Sequence, residues 1–321
     1  MMLWLPAALA LAIALPHALR LERCEPATAA TIWLAALALR ALAAVYVAAF
    51  LVFFLPATAL FDMFTHWCWH TVVPLLATHL GLNGHMFGDA ATIAPSFVLA
   101  ASAVSVAFGL ARAARAVRAL VQRGALGPGP QDSVIVGGAD VMVAAAGIRR
   151  PRIVVSAGAL TVLEDDELIA SIDHERGHIS RRHRFGLLFA ELCRGPGRFL
   201  PGTGHALGEL TFHLERDADH WALSRRNDPF ALASAICKAA LPKLSGAAGL
   251  TALGGGSVTR RVNQLLDRDR LSSGYAARLR MRALALSLAA LVLALTAMFP
   301  ATVIAGNETI ASSTLVRHCP R

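Results

Sequence analysis

Four stretches of the chain, residues 1–19, 31–55, 93–110 and 283–304, approach the run of about 20 apolar residues that a bilayer-spanning helix needs. Runs of that length leave few folds open other than helices packed in or against a membrane. Composition agrees. Charged residues make up 16% of the 321, against about 25% in ordinary soluble domains. The second run is the most apolar, yet it contains Arg40. A charge at that depth is costly, and pairing inside the bundle or snorkelling is expected of it ahead of a functional role. No Lys or Arg precedes the first run, so the basic start of a signal peptide is missing and a retained helix is expected over a cleaved leader.

Basic residues flank these runs unevenly. Arg20 and Arg23 follow the first, Arg112, Arg115, Arg118 and Arg123 follow the third, and Arg278, Arg280 and Arg282 precede the fourth. Residues 56–92 hold no Lys or Arg. Positive loops stay in the cytoplasm. Residues 20–30 and 111–282 are therefore expected inside. The amino terminus, the loop 56–92 and the short tail after residue 304 are expected outside, in a multi-pass protein of the plasma membrane. The same placement accounts for the net charge of +9 without nucleic acid. A basic balance can mark a nucleic-acid binder, but here the arginines sit beside apolar runs and no aromatic-interleaved basic motif accompanies them.

Residues 122–282 alone have an ordinary soluble composition. A Gly/Pro linker, Gly124 to Pro130, opens this segment. Short β-like runs follow at Ser133–Val136, Val141–Ala145 and Ile153–Val155, separated by turn residues, and predict a small antiparallel sheet. Val141–Ala145 is a candidate sheet edge for an extended peptide. The acids Glu164 to Glu167 open a helix where its dipole favours negative charge. A second helical run spans about Gly208 to Arg226, a third starts at Pro229, and Gly246–Ser257 reads as a loop.

The helix from Asp165 carries His174-Glu175-Arg176-Gly177-His178, an H-E-x-x-H pattern. Residues four apart share one helical face, so both imidazoles can grip one Zn²⁺ while Glu175 reaches a water beside it. A catalytic zinc site keeps a third protein ligand and one open position. The next helix supplies Glu215-Arg216-Asp217-Ala218-Asp219. Glu215 is the candidate third ligand. Asp219, one turn on, can accept the free ring N–H of a ligand histidine and fix its tautomer. The chemistry expected is peptide hydrolysis by a metal-activated water, with Glu175 as base.

H-E-x-x-H followed by E-x-x-A-D among membrane helices resembles the membrane gluzincins of peptidase families M48 and M56. Gly147 to Ser156, Leu163 to Leu168 and His178 to His183 are similar to the segments that frame the motif in those families. The closer resemblance is to M56, the family of the antibiotic-sensing proteins BlaR and MecR, over about residues 133–270. It implies three transmembrane helices within residues 1–121, a cytoplasmic zincin-like domain over 122–282, and a fourth helix with an outer tail over 283–321. The fold class implied is mainly α, α+β. The resemblance also implies regulated proteolysis of a protein partner such as a winged-helix repressor, with the M48-like alternative of membrane-protein quality control. A non-catalytic signalling protein that retains the fold is the reading outside enzymology. By the same resemblance the ligands fall on His174, His178 and Glu215, the base on Glu175 and the supporting carboxylate on Asp219. Arg261, in Thr259 to Leu266, falls on an arginine that can face the cleft or merely lie on a basic surface.

Three departures stand out. Asp173 precedes the motif where a small residue is usual, and His183 stands where an Asp is frequent. About 17 residues follow the fourth run, too few for the penicillin-binding sensor of the BlaR type, and direct β-lactam sensing is not expected. His66-Trp-Cys-Trp-His70 in the outer loop reads as interfacial packing ahead of a sensor. Cys68 and Cys319 share the outer side and could form a disulfide, whereas Cys193 and Cys237 are expected as buried small hydrophobes.

Overall fold

The computed structural model describes residues 4–54, 85–147, 150–245, 251–267 and 275–316. The His66–His70 run and the pair Cys68 and Cys319 lie outside the described residues. Helices α1 (Trp4–Ala18) and α2 (Pro26–Phe53) lead to the long helix α3 (His85–Gly124). Strands β1 (Ala125–Pro128), β2 (Val134–Val136), β3 (Val143–Ala146) and β4 (Arg152–Ser156) come next. Then follow α4 (Ala157–Val162), α5 (Asp165–Ser180), α6 (His183–Gly197), α7 (Thr203–Ser224), α8 (Pro229–Ser245), α9 (Thr251–Leu266) and α10 (Tyr275–Val316).

Two of the four expected spans have the length and hydropathy to cross a bilayer. These are Pro26–Val52, with mean hydropathy 2.2, and Tyr275–Ala305, with 2.3. Helix α1 has 15 residues, or roughly 22 Å at 1.5 Å per residue, short of a hydrocarbon core of about 30 Å. The third run lies inside the 40-residue α3, whose apolar part, Ser96–Arg112, is shorter than a span. The helix also takes in residues 85–92, expected in the outer loop.

The sheet is mixed rather than antiparallel. Its order is β1-β2-β4-β3, with β2 and β4 parallel and the two outer pairs antiparallel. The expected Gly/Pro linker is largely strand β1, paired with β2 across a register shift near Gly127. Local turn chemistry marked the strands, but the parallel pairing is a choice between segments far apart in sequence, made by burying Val154, Val155 and Val136 together. Strand β3 forms one edge, as expected. Most of the expected loop Gly246–Ser257 also proves helical, with α9 beginning at Thr251.

Helix α5 starts with a capping box: Glu164 N–H donates to Glu167 Oε2 at 2.9 Å. It ends at Ser180, and the chain turns into the next helix through Arg182, in the left-handed region at φ 57°. Helix α6 descends from there and α7 returns, with the turn between them made through Gly202 at φ 80°. The far end of this hairpin packs on the middle of α2 and α3. A Cβ on Gly197 would meet Arg40 Cβ at 3.5 Å, and Ser102 Oγ donates to the Gly195 carbonyl at 2.6 Å. Arg40 itself is 1% exposed. It donates to the carbonyls of Ala36 at 3.1 Å and Ile13 at 3.3 Å, and lies 2.7 Å from His17 Nε2. The pairing expected of a buried charge is present. Cys193 is buried as expected, but Cys237 is exposed.

Candidate metal centre

Helices α5 and α7 approach closely because small residues face each other where they touch. A Cβ on Gly177 would lie 2.9 Å from Trp221 Cβ and 3.1 Å from Ala218 Cα. Ala218 is fully buried in that seam. Glycine in the H-E-R-G-H run and alanine in the E-R-D-A-D run therefore let the second helix bring Glu215 onto the two histidines.

The three side chains converge. His174 Nε2 and His178 Nε2 are 3.1 Å apart, and each is 3.4 Å from an oxygen of Glu215, His174 from Oε2 and His178 from Oε1. Zn–N and Zn–O bonds of about 2.0–2.1 Å at tetrahedral angles put neighbouring ligand atoms roughly 3.3 Å apart. The two ring nitrogens, each with a carboxylate oxygen of Glu215 within reach, have spacings of that order, so the donor set fits a zinc ion. Among the described residues this is the one cluster of three or more such donors close enough to hold a metal.

A second layer holds the ligands. Asp219 Oδ1 is 2.8 Å from His174 Nδ1. Arg261 clamps Asp219 with two hydrogen bonds, Nε to Oδ2 at 3.0 Å and Nη2 to Oδ1 at 2.6 Å, and its Nη1 lies 2.8 Å from Glu215 Oε2. Of the two readings left open for Arg261, the structure has the one at the cleft. His178 is backed differently: its Nδ1 lies 2.9 Å from His183 Nδ1, and His183 Nε2 is 3.0 Å from Asp217 Oδ2. A histidine with its own carboxylate thus stands where a lone carboxylate was the familiar pattern. Asp173 bonds locally, accepting from Arg176 Nη1 at 3.1 Å and from Asn227 Nδ2 at 2.9 Å, and tightens the end of α7 onto α5.

Charge follows this geometry. Burial opposes protonation of His174, but Asp219 and Glu215 outweigh it and raise the ring to about 9. Burial and the charge on His174 lower His178 to about 4. Burial would raise Glu215, yet His174 and Arg261 hold it at about 2. Asp219 is likewise kept below the usual carboxylate range by Arg261 and His174 against its burial. Burial pushes Glu175 above its ordinary value.

Glu175 adds a contact that spacing did not reveal. Its Oε2 accepts a hydrogen bond from the Ala145 N–H of edge strand β3 at 2.8 Å. Glu175, next to His174 in the cluster, is therefore tied to the sheet edge. His183 and Asp217 were also missed as a pair. Their only signal was a polar residue five after His178 and an extra acid inside E-R-D-A-D.

Residues 111–199 match the family model of Peptidase family M48. That match supports a membrane metallopeptidase of the zincin-like kind. It takes in the H-E-x-x-H helix and the whole sheet and ends before Glu215. It is compatible with both resemblances drawn from the motifs. Among curated proteins and among solved structures, no match to the chain is found.

Proposed function

We propose that this chain is a membrane-embedded zinc endopeptidase whose ligands are His174, His178 and Glu215. The observation that carries the reading is the convergence of two ring nitrogens 3.1 Å apart with the Glu215 carboxylate, one oxygen 3.4 Å from each, on helices that also supply Glu175 and a second layer. Zinc bound there would supply Lewis-acid chemistry, polarising a peptide carbonyl and lowering the pKa of a water. Glu175 is placed to take a proton from the attacking water and hand it to the leaving amine, a role suited to a carboxylate whose pKa burial has raised. Asp219 and His183 orient the two imidazoles, and Arg261 fixes Asp219 and Glu215 together. A substrate in extended form adds to the outer side of β3, where backbone bonding gives affinity without much demand on sequence. The Ala145 N–H now holding Glu175 lies on that edge, so a bound peptide strand competes for it and frees the carboxylate for proton transfer.

We place α2 and α10 across the bilayer, with their amino-terminal ends and the metal cluster on the cytoplasmic side. The flanking arginines support that orientation. The resemblance to BlaR and MecR favours a cytoplasmic regulatory protein, such as a winged-helix repressor, as the substrate. The M48 match favours membrane-protein quality control as the second reading.

The test is Glu175→Gln in the full-length membrane protein. Zinc content should stay at one per chain while cleavage falls by about 10²–10⁴-fold, and proteins cut in wild-type cells should accumulate intact in the variant. A variant that keeps its zinc and matches wild type in every cleavage and cellular readout would refute an enzymatic role. Intact wild-type protein without stoichiometric zinc would refute the metal assignment.

A further inference from the structure

A cavity lined in part by Arg260 and Gln264 of α9 lies outside the metal cluster, none of whose residues lines it. It has a volume of about 1350 Å³ and is bounded by the turn between α1 and α2, by α7 and α9, and by the start of α10. Five arginines line it: Arg20 and Arg23 from the turn, Arg260 from α9, and Arg278 and Arg280 from α10. The acids around it are already engaged. Glu22 and Glu209 both pair with Arg260, at 2.6 and 2.7 Å, and Glu25 pairs with Arg282 at 2.7 Å. Among the described residues no carboxylate pairs with Arg20, Arg23, Arg278 or Arg280. These four side chains are exposed, so they are open to an anion that enters the cavity.

The cavity also offers neutral polar groups. Trp33 lines it while only 3% exposed, and its indole N–H has no hydrogen-bond partner; the side-chain oxygen of Gln264, on the same wall, has none either. A buried donor without a partner is uncommon in folded proteins. Apolar groups complete the lining, with Pro16, Leu19 and Met281 beside the arginines. Such a surface suits a molecule with an anionic head and an apolar body.

Position selects the source of that molecule. The cavity opens where α2 and α10, the two helices long and apolar enough to cross a bilayer, both begin. From there the surface of α10 is apolar and open, with Leu279 56% and Leu286 71% exposed. We propose that this cavity binds the phosphate headgroup of an anionic phospholipid of the cytoplasmic leaflet, with the acyl chains running along α10. The proposal rests on the membrane placement of α2 and α10 given above.

The test uses the full-length protein in nanodiscs of phosphatidylcholine with graded phosphatidylglycerol, followed by native mass spectrometry of the lipid retained. Wild type should retain phosphatidylglycerol over phosphatidylcholine by about tenfold or more, the scale expected when several arginines meet one anionic head. Replacing Arg20, Arg23, Arg278 and Arg280 by Gln should abolish the preference, and replacement by Lys should restore part of it. Ala277→Trp, which obstructs the cavity beside Arg278 and Arg280 without removing charge, should weaken it. Arg112→Gln with Arg115→Gln, on the exposed face of α3, should leave it unchanged. Inorganic phosphate at millimolar concentration should not displace the lipid. Equal retention by wild type and the cavity variants, equal loss in the α3 control, or full displacement by inorganic phosphate would each overturn the proposal. A chain recovered in the soluble fraction without detergent overturns the membrane placement itself. A chain that stays in membranes without lipid preference overturns only the lipid site.

Discussion

In the proposed site, zinc and a proton would compete for the same nitrogen of His174, and this fixes how metal affinity should vary with pH. Without metal the ring is raised to about 9 by Asp219 and Glu215, whereas His178 at about 4 and Glu215 at about 2 are already free of protons at neutral pH. Binding at pH 7 therefore expels one proton, from His174. The apparent zinc affinity should rise about tenfold per pH unit from pH 6 to 8 and level off above about 9. At pH 7, below the raised value, the competition costs roughly a hundredfold in affinity. Asp219→Asn separates the two roles of that carboxylate. It removes the charge 2.8 Å from Nδ1 that holds the proton, so the pKa of His174 falls and the pH slope flattens. It also removes the acceptor that orients the ring, which costs about 10–100-fold in affinity once the proton no longer matters. The variant should therefore lose little at pH 6 and most at pH 9, and the two curves should diverge as pH rises. Competitive chelator titrations of the full-length apo protein from pH 6 to 9 give the curves. Calorimetry in two buffers of different ionisation enthalpy counts the proton. A flat profile between pH 6 and 8, release of two or more protons, or the same fold loss for Asp219→Asn at every pH would refute this reasoning.

Three further outcomes follow from the same geometry. His183→Leu strips His178 Nδ1 of its partner and should weaken zinc binding by about 10–100-fold, with Asp217→Asn having a smaller effect in the same direction, read by the same chelator titration. Gly177→Val drives a branched side chain into Trp221 and Ala218, so α5 and α7 must part; zinc loading should be lost and unfolding should come at a cost of about 3 kcal/mol or more, read by metal analysis and thermal melting. His213 is fully buried and burial, with Arg216 and Arg260, lowers it to about 3. Its folded pKa lies below the unfolded value of 6.5, so its contribution is complete above pH 6.5 and is lost as pH falls toward 3. The stability of wild type should drop by about 1.4 kcal/mol more per pH unit than that of His213→Gln between about pH 6 and 4, measured by chemical unfolding.

The chain's order along itself determined a great deal. Positions i and i+4 of one helix must share a face, so His174 and His178 were a candidate metal pair as soon as α5 was a helix. Glu215 and Asp219 were legible because they repeat the same spacing on the next long helix, and the apolar runs announced α2 and α10 before any coordinates. The remainder needed the tertiary structure, because it depends on which distant segments touch. No spacing rule tells β2 to pair parallel with β4, and none sets the N–H of Ala145 against Glu175, 30 residues away. The backing of His178 by His183 and Asp217, and the grip of Arg261 on Asp219 and Glu215, join α5, α6, α7 and α9 through contacts shorter than 4 Å. Hydrogen bonds and ion pairs act only over such distances, and helical or strand periodicity fixes a residue's direction within its own element, not the neighbour it will find there.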